Sequence, residues 1–152
     1  MELILWRHAD AHDARAGQSD ADRALTDKGE RQAECMAGWL NARLPADARV
    51  LASPAVRTQQ TARALGRDVQ TVRDLFTDTS PRAALRALGW PDAGGTVVVV
   101  GHQPTLGQIA ALLLSGEARY WSVKKAATWW LVGPDGAEGG VELKAMQIPD
   151  LL

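Results

Sequence analysis

Four consecutive valines, Val97 to Val100, stand between Gly94-Gly95 and Gly101 in a chain of 152 residues. An unbroken β-branched run bounded by glycine reads as a strand buried on both faces. Such a strand needs helices above and below it, so it commits the chain to an α/β architecture. Leu3-Ile4-Leu5-Trp6 and Val50-Leu51-Ala52 are two further short apolar runs. Thr26 or Asp27 can cap a helix to about Leu44, with Ala33, Met36, Ala37, Leu40 and Leu44 at helical spacing and Pro45 as its stop. Ser53 is expected to cap a helix with Pro54 at its first position, running to about Leu65 before Gly66. An extended piece near Val69 to Val72 precedes a helix from Ser80-Pro81 to about Leu88. After the valines come a tight turn, Gly101 to Pro104, and a helix to about Leu114. Ala127 to Val132 and Val141 to Met146 read as two strands about the turn residues Gly133-Pro134-Asp135-Gly136. The order β-α-β-α-(β)-α-β-α-β-β implies one domain, residues 1–152. Its expected form is a three-layer α/β/α sandwich, with a mainly parallel central sheet and an antiparallel edge.

Composition narrows the function. Apolar residues make up 46% and charged residues 23%, which suits a folded domain rather than a disordered one. The formal net charge is -1, so the chain as a whole is no cationic nucleic-acid binder, and any anion site must come from local clustering. The longest apolar run, Ile109 to Leu114, is far short of the roughly 20 residues that span a bilayer. Met1 to His8 reads as a first strand rather than a signal peptide. With one cysteine, Cys35, read as an inert packed thiol, no internal disulfide can form. A cytoplasmic protein without membrane attachment is the expectation.

Three predicted strands lead straight into polar residues. The first runs into Arg7-His8, the second into Ser53-Pro54 and the helix bearing Arg57, and the valine strand into Gly101-His102. Ligand sites in open α/β sheets form beyond the carboxyl ends of the strands, so these side chains can converge there. Two guanidinium forks match the oxygens of a phosphoryl group, and helix N-termini near Pro54 and Pro104 would favour an anion. A metal held by His8, His12 and His102 is the rival reading. A fixed arginine charge beside His8 opposes it, and the spacing of His8 and His12 falls in a loop. His12 reads as a surface residue, and Arg63 and Arg67 as solvated ones. The neighbours Trp129 and Trp130 must face opposite ways on a strand, leaving one partly exposed. Lys124 and Lys125 could steer an acidic partner or simply form a solvated turn.

Leu5-Trp6-Arg7-His8-Ala9 resembles the N-terminal Arg-His-Gly signature of the histidine phosphatase superfamily, with alanine in place of glycine. Leu25-Thr26-Asp27-Lys28-Gly29 resembles the segment that opens the family's first helix, and Ser53 to Ala62 its second motif. Val100-Gly101-His102 resembles the third motif, and Lys124 to Leu131 the ending of short SixA-like members. The resemblance implies a phosphoglycerate mutase-like fold and a metal-independent, cofactor-free phosphatase. In it, neutral His8 attacks phosphorus, Arg7 and Arg57 hold the oxygens, His102 donates a hydrogen bond to one of them, and water hydrolyses the phosphohistidine formed. Larger members carry a lid insertion between the second and third motifs. Arg57 and His102 are only 45 positions apart, which leaves no room for a lid. An open site suits a phosphorylated protein, such as a histidine-containing phosphotransfer domain or phosphocarrier. The alternatives are a small phosphate ester as substrate, or a non-catalytic module that binds phosphorylated partners. Asp74, Asp78 and Asp10 are candidates for the general acid.

Overall fold

The computed structural model describes residues 1–134 and 139–152. Six strands are arranged β3-β2-β4-β1-β5-β6, where β1 is Glu2–Arg7, β2 Arg49–Ala52, β3 Val69–Thr71, β4 Thr96–Gly101, β5 Thr128–Val132 and β6 Glu142–Gln147. The first four in that row run parallel, and β5 and β6 add an antiparallel edge. Four helices are present among the described residues: α1 (Asp27–Asn41), α2 (Val56–Arg63), α3 (Pro81–Leu88) and α4 (Thr105–Ser115).

Strand pleating sorts the core into two layers. Ile4, Trp6, Val98 and Val100 face α1 and α2, packing on Met36, Ala37, Leu40 and Ala62. Their neighbours Leu3, Leu5, Val97 and Val99 face the other way, against Leu85, Leu88, Leu106 and Ile109 of α3 and α4. Both faces of the two central strands are therefore covered, as a continuous apolar run requires. Trp130 is buried on the first face, while Trp129 packs half-exposed on the second.

Several boundaries differ from expectation. α1 ends at Asn41 rather than near Leu44, although Leu44 is still buried beneath the turn that follows. α2 begins at Val56, and its N-cap residue is Ala55, not Ser53. The Ser53 hydroxyl is committed elsewhere. Thr26 and Ser80 do cap α1 and α3, accepting from the N–H groups of Gly29 and Ala83. Cys35 is exposed, because it lies on the outer face of α1 away from the core stripe of Ala33, Met36 and Ala37. Arg67 is not simply solvated: it donates to Asn41 Oδ1 and the Pro45 carbonyl and so ties the end of α1 to the end of α2. Of the expected hairpin turn, Asp135 and Gly136 lie outside the described residues.

The Leu-Thr-x-x-Gly segment has a steric purpose. A Cβ at Gly29 would stand 1.9 Å from the Asp10 carbonyl oxygen. The absent side chain lets the strand-to-helix segment lie directly on α1, where Asp10 also accepts from Thr26 and donates its N–H to Gln32 Oε1. Gly29→Ala is expected to destabilise the fold by about 1–3 kcal/mol, as overpacking against backbone does. Urea unfolding would measure it.

Candidate active site

Strand order brings the polar ends together. β4 lies between β1 and β2, so His102 emerges between the residues that follow its neighbours. The ladder continues one residue past each strand: His8 N–H donates to the Gly101 carbonyl at 3.1 Å and Ser53 N–H to the Val100 carbonyl at 3.2 Å. The rings of His8 and His102 stand 5.5 Å apart between centroids. Arg57 reaches across from the first turn of α2, its Nη2 3.2 Å from His102 Nδ1. Arg7, His8, Arg57 and His102 line one cavity of about 320 Å³. A larger cleft, about 620 Å³, lies at the amino ends of β2 and β3, the opposite edge of the sheet, and has no histidine in its lining.

Hydrogen bonds assign the tautomers. His8 Nδ1 is 2.8 Å from the Ala9 carbonyl, an acceptor only, so Nδ1 carries the proton and Nε2 the lone pair. An arginine can only donate, so His102 Nδ1 accepts from Arg57, and His102 Nε2–H donates to Ser53 Oγ at 2.7 Å. Neutral His102 thus has no donor left over for a ligand in this arrangement; its proton is committed to Ser53. The α4 amides expected to favour an anion are also engaged, Leu106 N–H by the His102 carbonyl and Gly107 N–H by Gln103 Oε1.

The arginines differ. Arg57 is 2% exposed, and its Nη1 and Nη2 donate to the carbonyl and carboxylate of Asp20 at 2.8 and 2.9 Å. Arg7 Nη1 donates to the Val123 carbonyl. The Nε–H groups of both are buried and have no partner among the described residues. Each guanidinium therefore carries one buried donor that the described residues leave unpaired. Burial, then the charge of Arg57, lowers the Arg7 pKa.

Two residues of the site left no sequence signal. Asp20 opens a 3-10 turn, Asp20–Asp22, in the polar segment after β1, Arg23 directly follows it, and both line the cavity. Ser53 was read as a helix cap, yet its hydroxyl holds His102. The rest of its motif works locally: Thr58 and Gln59 donate to the Ser53 carbonyl, and Thr61 Oγ1 accepts from Ala9 N–H beside His8. Among the carboxylates, Asp10 is bound to Lys125 and Thr26, the Lys125 hydrogen bond foremost in keeping its pKa low, and it does not line the cavity. Asp74 sits exposed on a 3-10 turn, also outside the cavity, whereas Asp78 lines it. His12 is exposed in the loop. Among the described residues, no group of three or more His, Cys, Asp and Glu side chains is gathered for a metal, and no helix is long and apolar enough to cross a membrane.

A family model described as histidine phosphatase superfamily (branch 1) matches residues 3–79. The chain belongs to the histidine phosphatase superfamily. It is 31% identical to the phosphohistidine phosphatase SixA of Escherichia coli, over 77% of this chain and 76% of that one. An uncharacterised Picosynechococcus protein is 35% identical over 83% of this chain and 81% of its own. A solved structure of the protein histidine phosphatase SixA complexed with tungstate superimposes with a TM-score of 0.81 at 27% identity, covering 99% of each chain. The family's phosphatase chemistry is therefore the frame for the site, on a SixA-like fold.

Burial, foremost, pushes His8 down to about 4. The Ala9 hydrogen bond opposes that shift, and Arg57, Arg7 and Arg23 reinforce it. Burial and then Arg57 push His102 down to about 3. An unperturbed imidazole titrates at 6.5. Between pH 6.5 and 4 the unfolded chain therefore takes up protons that the folded rings refuse, and stability falls as the pH drops. Urea midpoints measured from pH 7 to 4.5 are expected to fall, and to fall less in His8→Gln/His102→Gln. Ser53→Ala leaves the His102 Nε2–H buried without a partner, so it is expected to cost about 1–3 kcal/mol. Urea unfolding at neutral pH would give that number, and nitrogen shifts of His102 would register the loss of the fixed tautomer.

Proposed function

We propose that the chain removes the phosphoryl group from phosphohistidine on a protein, through a covalent phosphohistidine intermediate on His8. The observation that carries this reading is the state of His8. Its Nδ1–H is held by the Ala9 carbonyl, and the Nε2 lone pair is kept unprotonated, foremost by burial and then by the charges of Arg57 and Arg7. That is an activated nucleophile beside an anion cradle.

In the first step Nε2 of His8 attacks phosphorus, and the bond from phosphorus to the substrate imidazole breaks. Its electron pair leaves on the imidazole nitrogen, which takes a proton. In the second step water attacks, the bond from phosphorus to His8 Nε2 breaks, and inorganic phosphate leaves. Arg7 and Arg57 spread the charge of the equatorial oxygens in both steps. An entering oxygen competes with the Asp20 carboxylate for Arg57. The added negative charge also favours protonation of His102, which turns Nδ1 from an acceptor into a donor towards the phosphoryl group. Of the three carboxylates singled out in the sequence, Asp78 is the one at the cavity and takes the proton-transfer role.

The short path from Arg57 to His102 supports a protein-borne substrate. It contains the rest of α2, β3, a 3-10 turn, α3 and β4, with no long insertion over the cavity. The name of the Escherichia coli relative points the same way. A phosphotransfer domain or phosphocarrier is the class of partner that presents such a group.

The test is a transfer assay with a radiolabelled phosphohistidine protein. Wild type should release phosphate and carry label when quenched without acid, and His8→Ala should do neither. Undiminished release by His8→Ala would overturn the mechanism. The acid limb of kcat/KM should titrate near pH 4, well below an ordinary imidazole.

A further inference from the structure

Arg7 and Lys125 line the catalytic cavity, and both also line a second cavity of about 330 Å³ beside it. The two spaces are thus adjoining parts of one surface, joined at the first arginine of the site. Into the second cavity come Lys28 from the first turn of α1 and Lys124 from the segment before β5. The chain has four lysines in all, and three of them meet here.

The charges around this cavity are unbalanced. Its carboxylates are Asp10 and Asp150. Asp10 is already engaged, its Oδ1 bound to Lys125 at 2.7 Å and its Oδ2 to Thr26. Lys28 and Lys124 are exposed and form no ion pair among the described residues. In a protein of net charge -1, that is a local excess of uncommitted positive charge next to the phosphoryl site. The residue type matters as well. The fork of an arginine selects a planar, bidentate partner, whereas lysine is a point charge on a flexible stem. Lysines therefore suit carboxylates whose positions vary from one partner to another.

The geometry points to a docking groove, formed by Lys28 and Lys124 beside Arg7, for an acidic segment that flanks the phosphorylated residue of the protein substrate. This inference rests on the proposed phosphoprotein activity and names a chemical property of its partner. Carboxylates of that segment occupy the lysine-lined cavity while the phosphoryl group enters the catalytic one. The groove acts on encounter and affinity and leaves the chemical step to His8.

The experiment compares wild type with Lys28→Glu/Lys124→Glu on three substrates: phosphoramidate, a phosphohistidine peptide with acidic flanks and one with neutral flanks. The expected result is a roughly tenfold or greater loss of kcat/KM on the acidic peptide, carried by KM. The neutral peptide and phosphoramidate should be turned over as by wild type. Lys28→Gln/Lys124→Gln should fall between, and added salt should narrow the gap. Equal loss on all three substrates, or no loss on the acidic peptide, would overturn the groove. If wild type hydrolyses none of the three, the phosphohistidine reading has failed, and the groove is judged separately. Fluorescence anisotropy of an unphosphorylated acidic peptide should then show binding weakened at least fivefold in the Glu variant, and unchanged binding would reject it.

Discussion

A guanidinium buried as deeply as that of Arg57 must find compensation inside the protein, because an unpaired charge in that position is strongly unfavourable. Asp20 supplies it through both a backbone carbonyl and a carboxylate. The polar segment between β1 and α1 is folded so that this can happen. Arg23 Nε grips the other carboxylate oxygen of Asp20 at 2.9 Å and also donates to the His12 carbonyl through Nη1. Gln60 and Thr61, one turn along α2 from Arg57, bind the N–H groups of Leu25 and Ala9. A single helix thus places the arginine and pins both ends of the loop that answers its charge.

The same arginine organises the histidines. By donating to His102 Nδ1 it sets the tautomer, and Ser53 completes the arrangement on the other side of the ring. Its positive charge also helps keep His8 unprotonated. Burial and the charge of Arg57 therefore act in one direction on both rings, opposed at His102 by Asp20. The site holds two neutral imidazoles among cations, and in the proposed reaction the incoming phosphoryl group supplies the negative partner. Asp20 occupies part of that role at the protein surface, its side chain 56% exposed and so able to yield.

Beyond the catalytic cavity the surface stays open, since no long insertion separates α2 from β4. The second cavity extends the positive surface past Arg7 towards the C-terminal 3-10 turn Pro149–Leu151. On the proposed reading, chemistry and recognition are divided between neighbouring spaces: arginines and histidines would hold a phosphoryl group in fixed geometry, and lysines would attract a partner's charges.

Much was legible in the chain itself. The valine run and the alternation of strands and helices were enough for a layered α/β fold, because apolar periodicity is a local property. Arg7, His8, Arg57 and His102 could be singled out because Arg7 ends a strand, His8 and His102 directly follow one, and Arg57 stands in the first turn of the helix after one, and such ends converge in an open sheet. Strand order was not legible. Only folding inserted β4 between β1 and β2 and so set His102 between His8 and Arg57. Nor could the sequence separate Ser53 the helix cap from Ser53 the partner of His102, since a serine before a helix reads alike in both roles. Asp20 and Arg23 sat in a polar stretch without periodicity, and their place was decided by the charge of a residue more than thirty positions away. Local pattern determined the elements and the reactive groups; long-range pairing of buried charge decided which groups hold them in place.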